Sequence, residues 1–225
     1  MALDARRRQK KAEHRKAKQS AKKLAVKRRG ESRAAATFKA IGSAPILHCF
    51  ATDDIWTHGI GQVLVSRSLP GDCVAASVFL VDVYCLGVKD ATFDVGARGH
   101  YDLEVYGRLR SAYSLTKLKP ACTRKLVEGA VSFAADLGLP AHPDYGKAKL
   151  IFGDIDPGAC EQEFAYGRDG KPFFVAGPYD TAARCKRIVD ALTKRCGPNG
   201  FHLIVPQATT ELLPIFEGRT IEFDD

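Results

Sequence analysis

Apolar residues occupy both parities of the run Val74-Ala-Ala-Ser-Val-Phe-Leu-Val-Asp82-Val-Tyr-Cys-Leu-Gly87-Val-Lys-Asp90, the longest such stretch in the chain. That pattern predicts a strand covered on both faces, hence a central one. We read it as a single long third strand bent at Gly87, because a glycine inside a strand marks a bend. Two strands precede it, Pro45–Ala51 and Gly59–Arg67, and Leu69-Pro-Gly-Asp72 makes the turn into it. Residues 91–116 show mixed periodicity, read as loops with a short helix. From Pro120, the residues Leu126, Val127, Ala130, Val131, Ala134 and Leu137 recur at helical spacing, and Gly138 with Pro140 stops the pattern. Lys149–Gly153 reads as a fourth strand. Arg168-Asp-Gly-Lys171, between two aromatic runs, predicts a hairpin inserted over about residues 164–176. A last helix, capped at Asp180, and a last strand, Phe201–Val205, complete the series.

The expected fold class is therefore α+β: one mixed sheet, three antiparallel strands followed by α-β-α-β, with helices packed on it. The domain is expected over residues 45–206, after a linker at 34–44 and before a C-terminal extension at 207–225. That element order resembles the ribonuclease H-like fold. The string Val81-Asp-Val-Tyr-Cys-Leu-Gly-Val-Lys-Asp90 resembles one found in an uncharacterised bacterial family, and it implies no activity.

Charge changes the picture. Residues 1–33 hold 14 Lys and Arg against three acids, whereas the whole chain carries +8. The body is thus mildly acidic, and the basic character belongs to an N-terminal tail, expected to be disordered or helical. Its Arg6, Arg7, Arg8, Lys10, Lys11, Arg15, Lys16, Lys22, Lys23, Lys27, Arg28 and Arg29 suit phosphate contacts that release counterions. On the body, Arg184 and Arg187 of the last helix are the expected second contact. The expected partner is RNA or the ribosome.

Two other classes stay open. A nuclease of the ribonuclease H-like kind would gather Asp53, Asp54, Asp154 and Glu128 around Mg²⁺, with Asp53 and Asp154 as metal ligands. A protein-interaction module would need none of these residues, and outside the nuclease class no cofactor is expected. Seven cysteines without a C-x-x-C pair predict reduced thiols. A thiol–imidazole pair between Cys85 and His48, His58, His100 or His202 has nothing in the spacing to select it. No run reaches the roughly 18 apolar residues of a membrane span, and no leader follows Met1, so a cytoplasmic protein is expected. Asp82, a carboxylate inside the longest apolar run, is left unexplained, with Arg67, Lys149 and Lys89 as its candidate partners.

Overall fold

The computed structural model describes residues 38–205, Pro178 excepted. The tail, the C-terminal extension and the first residues of the expected linker lie outside the described residues. The rest of that linker is partly helical: residues 38–42 form a short helix that buries Ile41 and sets the Phe38 ring against Phe93, tilted, with centroids 5.4 Å apart.

Three long strands follow the expected hairpin path. β1 (Ile46–Thr52), β2 (Ile60–Leu69) and β3 (Cys73–Asp82) pair antiparallel in sequence order. The single long third strand is corrected to two strands. The chain reverses after Asp82, and β4 (Gly87–Ala97) returns antiparallel along β3. The cause is local: Asp82 Oδ1 accepts the backbone N–H groups of Tyr84 and Cys85, each at 2.9 Å. An aspartate that bonds the backbone two residues ahead makes a turn of its own. The turn reads as strand because it too is buried: Cys85 is fully enclosed, and the carbonyls of Val83 and Tyr84 accept from Gly167 and Phe173.

Gly87 stands at φ +64°, where a Cβ would lie 2.8 Å from the Ala130 carbonyl and 2.9 Å from Ala134 Cβ. Gly87→Ala is therefore expected to destabilise the fold by roughly 2–4 kcal/mol, combining a left-handed backbone with overpacking against helix backbone. Urea denaturation at neutral pH measures this, and a loss below about 0.5 kcal/mol would contradict it.

The sheet is completed by β5 (Leu115–Lys117), which pairs antiparallel with β1, giving the order β4-β3-β2-β1-β5. The place beside β1 where a parallel fourth strand was expected is thus taken by β5. Lys149–Phe152 is instead a 3-10 turn following a one-turn helix at Tyr145–Ala148. A short apolar run cannot be assigned to strand or helix by periodicity alone. With that strand gone, the five-stranded sheet is wholly antiparallel, and the element order behind the ribonuclease H-like resemblance is not present.

Two layers cover the sheet. On one face lies the expected helix, here Pro120–Asp136, with Leu126, Val127 and Ala130 set against Val63, Val65, Phe79 and Val81. Tyr145, Ile151 and Phe152 close the same layer, and Phe152 stacks on Phe79 at 5.3 Å. On the other face Arg98–His100, Tyr101–Gly107 and Arg108–Ala112 run on as one helix whose middle is π-helical. Tyr101 and Leu109 pack there on Leu64, Val74 and Ala76. Burial from both sides explains the apolar residues at both parities of β2 and β3.

The expected inserted hairpin is also corrected. Asp169 and Gly170, at φ 53° and 76°, form the tight turn, but its flanks do not pair beyond the Arg168–Lys171 bridge. Instead β6 (Phe173–Val175) pairs parallel with β7 (His202–Ile204) across the helix Ala182–Cys196. This unit packs Phe174, Ile188, Val189 and Leu192 into a smaller core with Leu86 and Leu137. The cap of that helix is Thr181, which accepts from Arg184 N; Asp180 instead accepts from Gly177 N.

Reduced cysteines are corrected in one place. Cys122, in the first turn of Pro120–Asp136, is disulfide-bonded to Cys160, while Cys49, Cys73, Cys85, Cys185 and Cys196 are free. The two partners lie 38 positions apart, so no sequence motif announces them. Among the described residues no helix is long and apolar enough to cross a membrane.

Candidate functional site

The carboxylates named for metal chemistry are not brought together. Asp53 and Asp54 follow β1, where Asp53 Oδ1 accepts from Thr116 Oγ1 at 2.5 Å and Asp54 faces His58 at 3.7 Å. Asp154 lies beyond the opposite end of β1, its N–H donating to Gly42 O at 3.1 Å. A seven-residue strand separates them, about 23 Å at some 3.3 Å per residue. Glu128 is held by Arg124 Nε at 2.9 Å, and Arg124 also donates to the carbonyls of Gly153 and Ile155. Asp156 caps the turn Pro157–Ala159 by accepting from Gly158 N. Among the described residues, no three His, Cys, Asp or Glu side chains gather as a metal site would require.

Asp154 has a different task. Its partner is Arg67, which is 2% exposed and donates to the carbonyls of Ile151 (2.7 Å), Phe152 (2.7 Å) and Ala44 (2.5 Å) as well as to Asp154 Oδ1 (3.0 Å). One planar guanidinium thereby satisfies the end of the 3-10 turn and ties it to the sheet. The sequence held the signal: Arg67 shares the parity of Val63 and Val65, so its stem had to enter the covered face.

Asp82 is therefore not paired with Arg67, and Lys149 lies over the Tyr145 ring instead. Asp82 faces Ile60, at the far end of β2 from Arg67, so it does not join Asp154. Burial pushes its carboxyl up to about 6, against the two backbone N–H groups and Lys89, which favour the charged form. Its part is to build the β3–β4 turn. A carboxyl whose folded pKa is raised binds its proton more tightly in the folded state, so its contribution is largest below about pH 4 and is lost as pH rises through 6. Asp82→Asn keeps the acceptor without the charge. It is expected to be more stable than wild type at pH 7–8 by on the order of 2–3 kcal/mol, with the gain vanishing near pH 4. Denaturation across pH 4–8 measures this, and a variant less stable at pH 8 would contradict it. Cys85, beside it, is fully buried, and burial with the Asp82 charge pushes its thiol up, away from nucleophilic use.

On the helix Ala182–Cys196 the basic residues divide. Arg184 is tied to Asp180 at 3.1 Å and Lys186 to Asp190 at 2.7 Å. Arg187, Lys194 and Arg195 are exposed, and no ion pair engages them among the described residues. Of the two arginines expected to form a second basic contact, Arg184 is thus engaged by Asp180, whereas Arg187 is exposed.

A polar cluster that the sequence did not single out lies on the other face of the sheet. A bulge between Ile46 and His48 puts both Leu47 and His48 on the face covered by the π-containing helix. There His48 Nδ1 bonds Tyr101 Oη at 2.7 Å, and Tyr101 Oη bonds Ser66 Oγ at 2.9 Å. The π segment brings Tyr101 and Tyr106, five residues apart, onto one face with their rings 7° from parallel. Tyr106 stacks on His48 at 4.5 Å, and Arg110 lies over Tyr106 at 5.7 Å. Burial, with Arg98 and Lys117, lowers the His48 pKa, Asp102 opposing. Burial pushes the Tyr101 phenol up to about 12, which keeps it neutral.

Comparisons with protein-family models, with curated proteins and with solved structures return no match to this chain.

Proposed function

We propose that the protein binds RNA, free or within the ribosome, through its basic N-terminal arm, and that the arm positions the mildly acidic body beside the nucleic acid. One observation carries this reading: 14 Lys and Arg against three acids in residues 1–33, in a chain whose net charge is only +8. Segregated charge of this kind is the electrostatic footprint of a phosphate-binding segment. The contacts would be to phosphates, and such contacts carry no base preference. Arg187, Lys194 and Arg195, exposed along one helix, offer the body a weaker second contact. The separation of Asp53 and Asp54 from Asp154 favours binding over two-metal hydrolysis. The test is direct: a single-stranded RNA titrated with the full chain and with a chain beginning at Ala34. The reading expects a loss of at least about 100-fold on removing the arm, since each released counterion contributes to affinity. Equal affinity would overturn it.

A further inference from the structure

The stretch between Phe152 and β6 packs against the helix Pro120–Asp136 as a strap, its one helical element the 3-10 turn Pro157–Ala159. Its two ends are fixed by hydrogen bonds. At the first, Arg67 holds Asp154, and Arg124 donates to the carbonyls of Gly153 and Ile155. At the second, Tyr166 Oη donates to the carbonyls of Lys125 and Leu126, and Gly167 N donates to Val83 O. Between these anchors, residues 156–164 are tied down by the Cys122–Cys160 disulfide and by Lys125 Nζ, which donates to Cys160 O at 3.3 Å and Glu163 at 2.6 Å. Phe164 adds a ring stacked on Trp56 at 5.9 Å. The Lys125–Glu163 pair holds weakly, because Glu163 is 86% exposed and water competes for both ions. The covalent bond is the strongest of these ties.

Three observations mark this bond as one that exchanges. A disulfide framework pairs its cysteines, whereas five of the seven here are free. Burial raises the thiols of Cys49, Cys85 and Cys185, so they do not compete as thiolates. Cys122 stands in the first turn of its helix, and Lys125 lies against the Cys160 carbonyl, so negative charge released on opening the bond meets a helix N-terminus and an ammonium. Both cysteines are 5% exposed, yet Gly158, Ala159, Glu161 and Gln162 around Cys160 are exposed. A small dithiol therefore reaches the bond when the strap shifts, with the sheet intact.

We propose that Cys122–Cys160 is a reversible redox site: oxidation clamps residues 156–164 onto the helix, and reduction by a dithiol frees them and uncovers the Trp56 face on which Phe164 lies. The dithiol's thiolate attacks Cys160 Sγ and displaces Cys122 as a thiolate, which takes up a proton. Its second thiol then displaces Cys160 and closes a cyclic disulfide, so two electrons and two protons pass to the two cysteines. The site depends neither on the basic arm nor on RNA.

The test uses the full chain. After equilibration with oxidised glutathione, five thiols are expected to alkylate on denaturation, and after dithiothreitol seven, the difference mapping to the Cys122 and Cys160 peptides. Without denaturant, reduction is expected to speed amide hydrogen exchange over residues 156–164 at least about tenfold, as loss of a cross-link would, while β1–β4 keep their protection. Trp56 is the chain's single tryptophan, so its fluorescence reports the loss of Phe164 stacking. Re-oxidation restores both signals. Cys160→Ser is expected to behave like the reduced chain with or without dithiothreitol. The proposal is overturned if oxidised glutathione leaves seven thiols free, or if dithiothreitol opens the bond only in denaturant. It is overturned equally if the reduced chain exchanges and fluoresces like the oxidised one, or if reduction or Cys160→Ser unfolds the sheet.

Discussion

Arg67→Met is expected to destabilise the protein by about 3–5 kcal/mol, while Asp154→Asn, at the other end of the same ion pair, costs less than about 1 kcal/mol. The contrast follows from where the two ends lie. Asp154 is 65% exposed, so water replaces its partner, whereas Arg67 is 2% exposed. Removing the guanidinium leaves the carbonyls of Ile151 and Ala44 without their donor, and Phe152 O with the Ile155 N–H alone. Each buried unsatisfied group costs about 1–3 kcal/mol, and a backbone carbonyl cannot be exchanged for an apolar group. Methionine fills most of the volume, so the loss reads out hydrogen bonding more than packing. Arg67→Lys is expected to fall between, because one ammonium cannot reach four acceptors spread along a planar fork. Chemical denaturation of the three variants measures this. Equal losses for Arg67→Met and Asp154→Asn would mean that the ion pair, not the carbonyl network, does the holding.

The parts of the fold legible in the sequence are those with long, uniform periodicity. The helix Pro120–Asp136 shows an uninterrupted apolar face and a proline at its start, and β2 and β3 show the two-sided burial of interior strands. What escaped the sequence lies where side chains override the period. Asp82 turns the backbone within an apolar run, and nothing in hydropathy separates a buried turn from a buried strand. Ile151 and Phe152 are as apolar as strand residues, but their carbonyls end on Arg67 rather than on a neighbouring strand. The π segment sets Tyr101 and Tyr106 at a spacing of five, which a search at 3.6 residues per turn reads as irregular. The bulge at Leu47 shifts His48 across the sheet, and strict alternation cannot see such a shift. β5, β6 and β7 are three residues each, too short for any period to register. For the candidate site, charge segregation was legible because it needs no fold. The His48 cluster was not, because its three members lie 18 and 35 positions apart along the chain and meet only through two irregularities.

The RNA reading predicts a steep response to salt. If about half of the 14 basic residues in the arm meet phosphates, the logarithm of RNA affinity should fall with the logarithm of salt concentration at a slope of roughly −5, near 0.7 per neutralised phosphate on a single strand. Replacing the arm Lys and Arg by Gln in the full chain keeps its length and folded body. It should reduce the slope to about −1 to −2, the residue left to Arg187, Lys194 and Arg195. Affinity at low salt should fall by two to four orders of magnitude, while unfolding of the body, whose buried core among the described residues runs from Ile41 to Val205, should be unchanged. Sequence preference should be weak for both proteins, since phosphate contacts position without reading bases.

The most direct measurement is therefore single-stranded RNA affinity from 50 to 300 mM salt for the full chain and its arm-neutralised form. The account predicts a steep slope that collapses when the arm loses its charge; a flat slope, or one that the arm does not alter, would contradict it.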